Sequence, residues 1–179
     1  DVRFGRDNAG DLATMTTLGE RLGFTVDVVD DVRPELDGDA GGGLDPAGHR
    51  WRRWSSTWAR ELLATGDVGG AARVLGRPHR VRGLVVRGDA RGRLLGFPTA
   101  NLAPDVIGMV PADGVYAGRL VRLRHADGTP VADDDADRRL PAAVSVGTNP
   151  TFDGHARRVE AYVLDRDDLD LYGEQVAVE

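Results

Sequence analysis

Neither cysteine nor lysine occurs among the 179 residues. Without cysteine there is no disulfide, no Cys-zinc centre and no thiol nucleophile, and the composition fits a reducing compartment such as the cytoplasm. All 23 basic residues are arginine, which removes Schiff-base chemistry and a P-loop lysine. Aromatic residues make up 6% of the chain and the net charge is −6. Both weigh against a nucleic-acid partner, which calls for a basic face with stacking rings. No apolar run approaches the ~20 residues of a membrane-spanning helix. The four histidines (His49, His79, His125, His155) lack ligand spacing, which argues against structural zinc or a His-based triad.

The pattern changes along the chain. Leu12, Met15, Leu18 and Leu22 form a stripe at helical spacing behind Asn8 and Asp11, ending at Gly23. Phe24–Val29 then reads as a buried strand, and residues 31–50 as a flexible loop. Ser55 or Ser56 is placed to cap a helix through Leu63, closed at Gly66. Asp67 is placed to cap another through Leu75, closed at Gly76. Beyond Pro78 the helical period gives way to six short strand candidates, Val81–Arg87, Thr99–Leu102, Val115–Leu123, Ala142–Val146, Val159–Leu164 and Gln175–Val178. Six strands without helices predict a small closed barrel. Asp133, Asp134 and Asp135 are expected at a solvated loop tip between the third and fourth.

The chemistry concentrates at Gly96-Phe97-Pro98-Thr99-Ala100-Asn101, behind the Gly- and Arg-rich stretch Arg87–Leu95. On an extended backbone residues i and i+2 share a face, so Thr99 and Asn101 can converge on one object. Both carry neutral oxygens of the kind Mg²⁺ accepts when phosphates and water complete its octahedron. Glycines let backbone N–H groups approach phosphate oxygens, and arginines add charge. The spacing suggests a Mg-nucleotide site. The competing reading is a turn into a strand, with the polar side chains satisfying local backbone groups. Glu160 alternates with Val159 and Ala161 in an apolar strand candidate, where a carboxylate needs a partner. An outward ion pair with Arg157 or Arg158 would supply one.

These segments resemble the riboflavin kinase fingerprint, a Gly/Arg loop followed by G-[FI]-P-T-A-N. Four further stretches are similar to that family in the same order: Pro111–Ala117, Ala143–Phe152, Val159–Asp165 and Asp170–Gly173. The earlier residues resemble the tail of an FMN adenylyltransferase domain, at Asp1–Gly5 and Trp54–Arg60. The combined order is that of bacterial bifunctional riboflavin kinase/FAD synthetases.

The resemblance implies an α/β tail of a Rossmann-like nucleotidyltransferase domain over 1–77, followed by an all-β six-stranded riboflavin-kinase-like barrel over 78–179. Family members continue past Glu179 into a C-terminal helix, so the chain is expected to be part of a longer protein. The implied reaction moves the γ-phosphoryl of ATP to riboflavin, giving FMN with Mg²⁺, and the intact protein converts FMN to FAD. Carried over residue by residue, Glu160 is the general base, and Thr99 and Asn101 contact metal and phosphates. Gly88, Arg91, Gly92, Arg93 and Gly96 belong to a flap over ATP. Tyr116, Asn149 and Phe152 fall on the flavin side, although Tyr116 and Phe152 suit a barrel core equally well. Ser55, Ser56, Thr57 and Arg60 are the adenylyltransferase remnant, and an ordinary N-cap with an exposed arginine explains them too. The partners implied are small molecules, with neither nucleic acid nor membrane, and the oligomeric state is not legible. A barrel that binds a flavin or nucleotide without turnover is the rival reading, as is a single-stranded nucleic-acid-binding barrel.

Overall fold

Alternation of small apolar residues with polar ones, broken by Gly and Pro turns, produces six strands that close on themselves. The computed structural model describes residues 3–29, 54–88, 98–148 and 157–179. The predicted loop at 31–50 and the site candidates Arg91, Gly92, Arg93, Gly96, Asn149 and Phe152 lie outside the described residues. The chain forms two compact units, 1–40 and 41–179.

In the first unit, α1 spans Leu12–Leu22. Asp11 caps it, its carboxylate accepting from the Thr14 N–H at 2.9 Å, and Gly23 closes it in the left-handed region at φ 78°. Both signals were legible. The strand expected at Phe24–Val29 is not formed. A strand needs a ladder partner for its N–H and C=O groups, and none of the described residues supplies one. Phe24, Val28 and Val29 are exposed, Val29 at 89%. Among the described residues of the expected α/β tail there are therefore helices and no strand.

The second unit opens with a helical hairpin, α2 (Ser56–Ala64) and α3 (Val68–Leu75). Ser55 caps the first through the Trp58 N–H at 3.1 Å, and Asp67 caps the second through the Gly70 N–H at 2.7 Å. Trp58, Leu62, Leu63 and Ala71 form its core. The Ala112 N–H donates to the Leu63 carbonyl at 2.9 Å, tying the hairpin to the barrel.

The barrel strands are β1 (Val81–Val86), β2 (Thr99–Leu102), β3 (Gly114–Arg124), β4 (Arg139–Thr148), β5 (Arg157–Val163) and β6 (Gln175–Val178). Their order around the closed, fully antiparallel barrel is β1-β2-β5-β4-β3-β6. Every strand predicted for the barrel is present. The fourth runs longer than its apolar run suggested, because Pro141 is accommodated within it opposite Arg119. Val81, Val85, Ala100, Leu102, Leu120, Ala142, Val144, Ala161, Val163 and Val176 fill the interior. No described helix is long and apolar enough to cross a membrane.

One charged pair is buried in this apolar setting. Glu174, 5% exposed, accepts two hydrogen bonds from Arg122, at 2.7 Å from Nε and 2.6 Å from Nη2. Bidentate geometry makes such a pair strong, while loss of one member leaves an uncompensated buried charge. The Glu174 bond holds the Arg122 guanidinium above its ordinary range. Glu174→Ala is expected to cost about 3–5 kcal/mol of stability. Denaturant unfolding of both proteins checks this, and a cost below ~1 kcal/mol would show the pair to be as weak as an exposed one.

Candidate functional site

Side chains alternate across a strand, so burial along β2 and β5 separates two faces. Ala100 and Leu102 of β2 point inward, as do Val159, Ala161 and Val163 of β5. Thr99, Asn101 and Glu160 are left on the outer face. Asn101 is the register partner of Glu160, whose other neighbour is Ser145 of β4. Ser145 in turn pairs with Val115 of β3, which is 77% exposed. Asn101, Glu160, Ser145 and Val115 thus form one row across four outer strands.

Hydrogen bonds join the first members of this group. The Asn101 amide Nδ2 donates to the Thr99 carbonyl and the Thr99 Oγ1, each at 3.2 Å. The Thr99 hydroxyl donates to Glu160 Oε2 over a long 3.4 Å. Local satisfaction of polar groups, the bland alternative for Thr99 and Asn101, is thus present. It uses only the amide nitrogen. Among the described residues the Asn101 Oδ1 accepts no hydrogen bond, leaving a neutral oxygen on the carboxamide whose Nδ2 faces Thr99. The ion pair considered for Glu160 with Arg157 is not formed. Arg157 reaches Asp113 at 2.7–2.8 Å and the carbonyls of Val110 and Pro111.

Thr99 and Asn101 line a cavity of about 370 Å³. Gly88, Pro98, Val163, Leu169, Leu171 and Tyr172 share its wall, and Glu160 stands beside it through Thr99. The Arg87 guanidinium lies 5.3 Å from the centre of the Tyr172 ring, a cation–π distance. Acidic residues crowd the far rim, where Arg166 organises them. Its guanidinium donates to Asp168 at 2.6 and 2.9 Å and to Asp137 at 2.6 and 3.1 Å. These bonds hold both carboxyls below their usual 3.8 and raise the Arg166 guanidinium. Nothing local signals the Arg166–Asp137 link, which spans 29 residues; the Arg-x-Asp spacing of Arg166 and Asp168 is the one nearby clue.

The remaining candidates lie elsewhere. Tyr116 points into the interior from β3, beside a second, apolar cavity of about 510 Å³ at the other end of the barrel. Its hydroxyl donates to the Ala112 carbonyl at 2.6 Å. Ser55 acts as an N-cap, and Arg60 bonds Ser56 Oγ at 3.1 Å on the exposed side of α2, where Thr57 also lies. These four are not brought to Thr99, Asn101 and Glu160. Asp133 pairs with Arg138 at 2.8 Å at an exposed turn, as a solvated loop tip would.

As for a metal, no cluster of three or more His, Cys, Asp or Glu able to hold an ion occurs among the described residues. Two neutral oxygens at one rim fit an ion that brings its own phosphates and waters, as Mg²⁺ does.

Comparison with known proteins places this geometry in context. The family model described as "Flavokinase: Riboflavin kinase" matches residues 75–179. Curated relatives named bifunctional riboflavin kinase/FMN adenylyltransferase include that of Escherichia coli K12, 32% identical over 178 residues, covering 99% of this chain and 48% of the relative. That of Listeria monocytogenes is 36% identical over 125 residues, covering 69% of this chain and 35% of the relative. The chain spans about half the length of the curated relatives it matches first. A solved structure described as a macrolide-efflux protein from Streptococcus pneumoniae superimposes with a TM-score of 0.68 at 33% identity, covering 99% of this chain and 48% of that one. The efflux role belongs to that description; the likeness carries the fold.

The Arg166 cluster sets a pH response of the cavity rim. Folded-state values of Asp137 and Asp168 are depressed, so their contribution is present above the unfolded 3.8 and lost as pH falls through the lowered values. In Arg166→Ala both carboxyls are expected to titrate upward, toward 3.8. Carboxyl NMR titration checks this, and unchanged midpoints would mean that Arg166 is not their partner in solution.

Proposed function

The chain belongs to the riboflavin kinase family, and from that membership we propose that it transfers the γ-phosphoryl group of ATP to the ribityl hydroxyl of riboflavin. The products are FMN and ADP. One observation carries the assignment of the site: Thr99, Asn101 and Glu160 stand together on the outer face of β2 and β5, at the rim of a cavity.

Glu160 is the general base in this reading. Its carboxylate takes the hydroxyl proton as the substrate oxygen attacks the γ-phosphorus in line, and ADP leaves. The row from Glu160 through Ser145 to the exposed Val115 offers a surface along which an acceptor could lie with its hydroxyl at the carboxylate. Thr99 Oγ1 and Asn101 Oδ1 would hold Mg²⁺, which supplies charge neutralisation on the phosphates when bound. Gly88, Arg91, Gly92, Arg93 and Gly96 are assigned to the phosphates on the strength of the Gly/Arg pattern. Tyr116, Asn149 and Phe152 are assigned to the flavin ring, Tyr116 as one wall of the apolar cavity.

Residues 1–77 are read as the C-terminal part of an FMN adenylyltransferase domain of Rossmann-like origin, with Ser55, Ser56, Thr57 and Arg60 as its phosphate-binding remnant. Residues 78–179 are read as the riboflavin kinase domain. Joined to the rest of such an adenylyltransferase domain, residues 1–77 would serve adenylylation of FMN to FAD. Small molecules are the expected partners, with neither nucleic acid nor membrane involved, in a cytoplasmic setting suited to a chain without cysteine.

Glu160→Gln keeps the size and hydrogen-bonding reach of the side chain but cannot accept the proton. Turnover of riboflavin with Mg-ATP is expected to fall ~10²–10⁴-fold, with a far smaller change in binding of either substrate. An unchanged kcat would remove Glu160 from the mechanism. Normal kcat with weakened riboflavin binding would make it a substrate-positioning group.

A further inference from the structure

Gly88 faces the Asn101 carboxamide so closely that only a residue without a side chain fits. A Cβ built on Gly88 would lie 2.5 Å from Asn101 Cγ, 2.5 Å from Oδ1 and 2.7 Å from Nδ2. The three near-equal distances mean that it would strike the flat face of the amide group. Approaches under 3.0 Å to these atoms cannot stand, so either the backbone at Gly88 or the Asn101 side chain must move.

The strand that leads to Gly88 has little freedom to move. Val86 is the register partner of Asn101, and Val85 that of Leu102. On its other edge Val85 accepts from the Gly173 N–H and donates to the Glu174 carbonyl, both at 2.9 Å. Arg87 rests over the Tyr172 ring. Glu174 itself is fixed by Arg122. Gly88 is thus delivered to Asn101 by a segment tied on both edges, and the side chain is the part that would give way.

We infer that Gly88 is a positioning residue: its bare Cα holds the Asn101 carboxamide with Nδ2 toward Thr99 and Oδ1 available for the metal of a Mg-nucleotide. This goes beyond the phosphate contact assigned to Gly88 above and rests on the Mg-nucleotide reading of Thr99 and Asn101. An alanine at 88 separates the two roles, because a lost phosphate contact weakens ADP binding with and without Mg²⁺ alike, whereas a displaced metal ligand weakens only the Mg²⁺ complex.

The test uses ADP binding by calorimetry, with and without Mg²⁺, for the wild type, Gly88→Ala, Asn101→Ala and the double variant. In parallel, the Asn101 side-chain NH₂ resonances, assigned by their loss in Asn101→Ala, are followed by NMR. Gly88→Ala is expected to lose the tightening of ADP binding by Mg²⁺ by ~10–100-fold, the range for disturbing the support of a metal ligand. That loss should exceed any change in metal-free ADP binding by at least ~10-fold, and in the Asn101→Ala background Gly88→Ala should add less than ~2-fold to it. The Asn101 NH₂ signals should shift in a spectrum that otherwise shows a folded barrel.

Full Mg²⁺ tightening with unmoved NH₂ signals in Gly88→Ala overturns the inference and leaves the Mg-nucleotide reading standing. Equal weakening with and without Mg²⁺ also overturns it, assigning Gly88 to the phosphates alone. No Mg²⁺ tightening in the wild type, with the NH₂ signals still shifting in Gly88→Ala, overturns the Mg-nucleotide reading itself and reduces the contact to packing.

Discussion

The bidentate pair between Arg122 and the buried Glu174 is the interaction on which the Thr99–Asn101 end of the barrel depends. It fixes the turn before β6 against β3. That turn then bonds to β1 through Gly173, Glu174 and Val85, and carries Tyr172 to the cavity wall. β1 in turn sets the registers of Leu102 and Asn101. Position passes from an ion pair on one side of the barrel to a carboxamide on the other through backbone hydrogen bonds, which transmit it without slack. A charged pair in an apolar interior is a poor source of net stability compared with a hydrophobic replacement. Its value here is geometric, because two oxygens and two nitrogens admit one arrangement.

The other constraint is the two-residue period of a strand. Ala100 and Leu102 face inward, so Thr99 and Asn101 must face out, and the antiparallel register brings Glu160 beside them. A slip of one residue between β2 and β5 would carry Glu160 into the apolar interior, at a cost the core would not bear. The same packing that closes the barrel therefore assembles the candidate site. Small interior residues at Ala100, Ala142 and Ala161 let six strands close tightly around them.

Most of this fold was legible because its signals are local. Asp11, Ser55 and Asp67 sit where their side chains cap helices, Gly23 and Gly76 where the chain turns left-handed, and all six strands follow apolar alternation. Phe24–Val29 misled because an apolar run becomes a strand only beside another strand, and a sequence segment does not contain its partner. At the site, the Thr99/Asn101 spacing and the isolated carboxylate of Glu160 could be read directly. The contact of Gly88 with Asn101, the Arg87–Tyr172 stack and the Arg122–Glu174 pair could not. Each joins residues from 13 to 85 positions apart, and only closure of the barrel brings them together.

Thr99 and Asn101, on the outer face of β2, are proposed to hold the metal of a Mg-nucleotide beside Glu160. A crystal structure of the protein with ADP and Mg²⁺ addresses this most directly. The account predicts the ion about 2.0–2.1 Å from Thr99 Oγ1 and Asn101 Oδ1, with phosphate oxygens and water completing an octahedron. An ion held instead by Asp167, Asp168 or Asp170 on the far rim, with Thr99 and Asn101 beyond coordination reach, would contradict it.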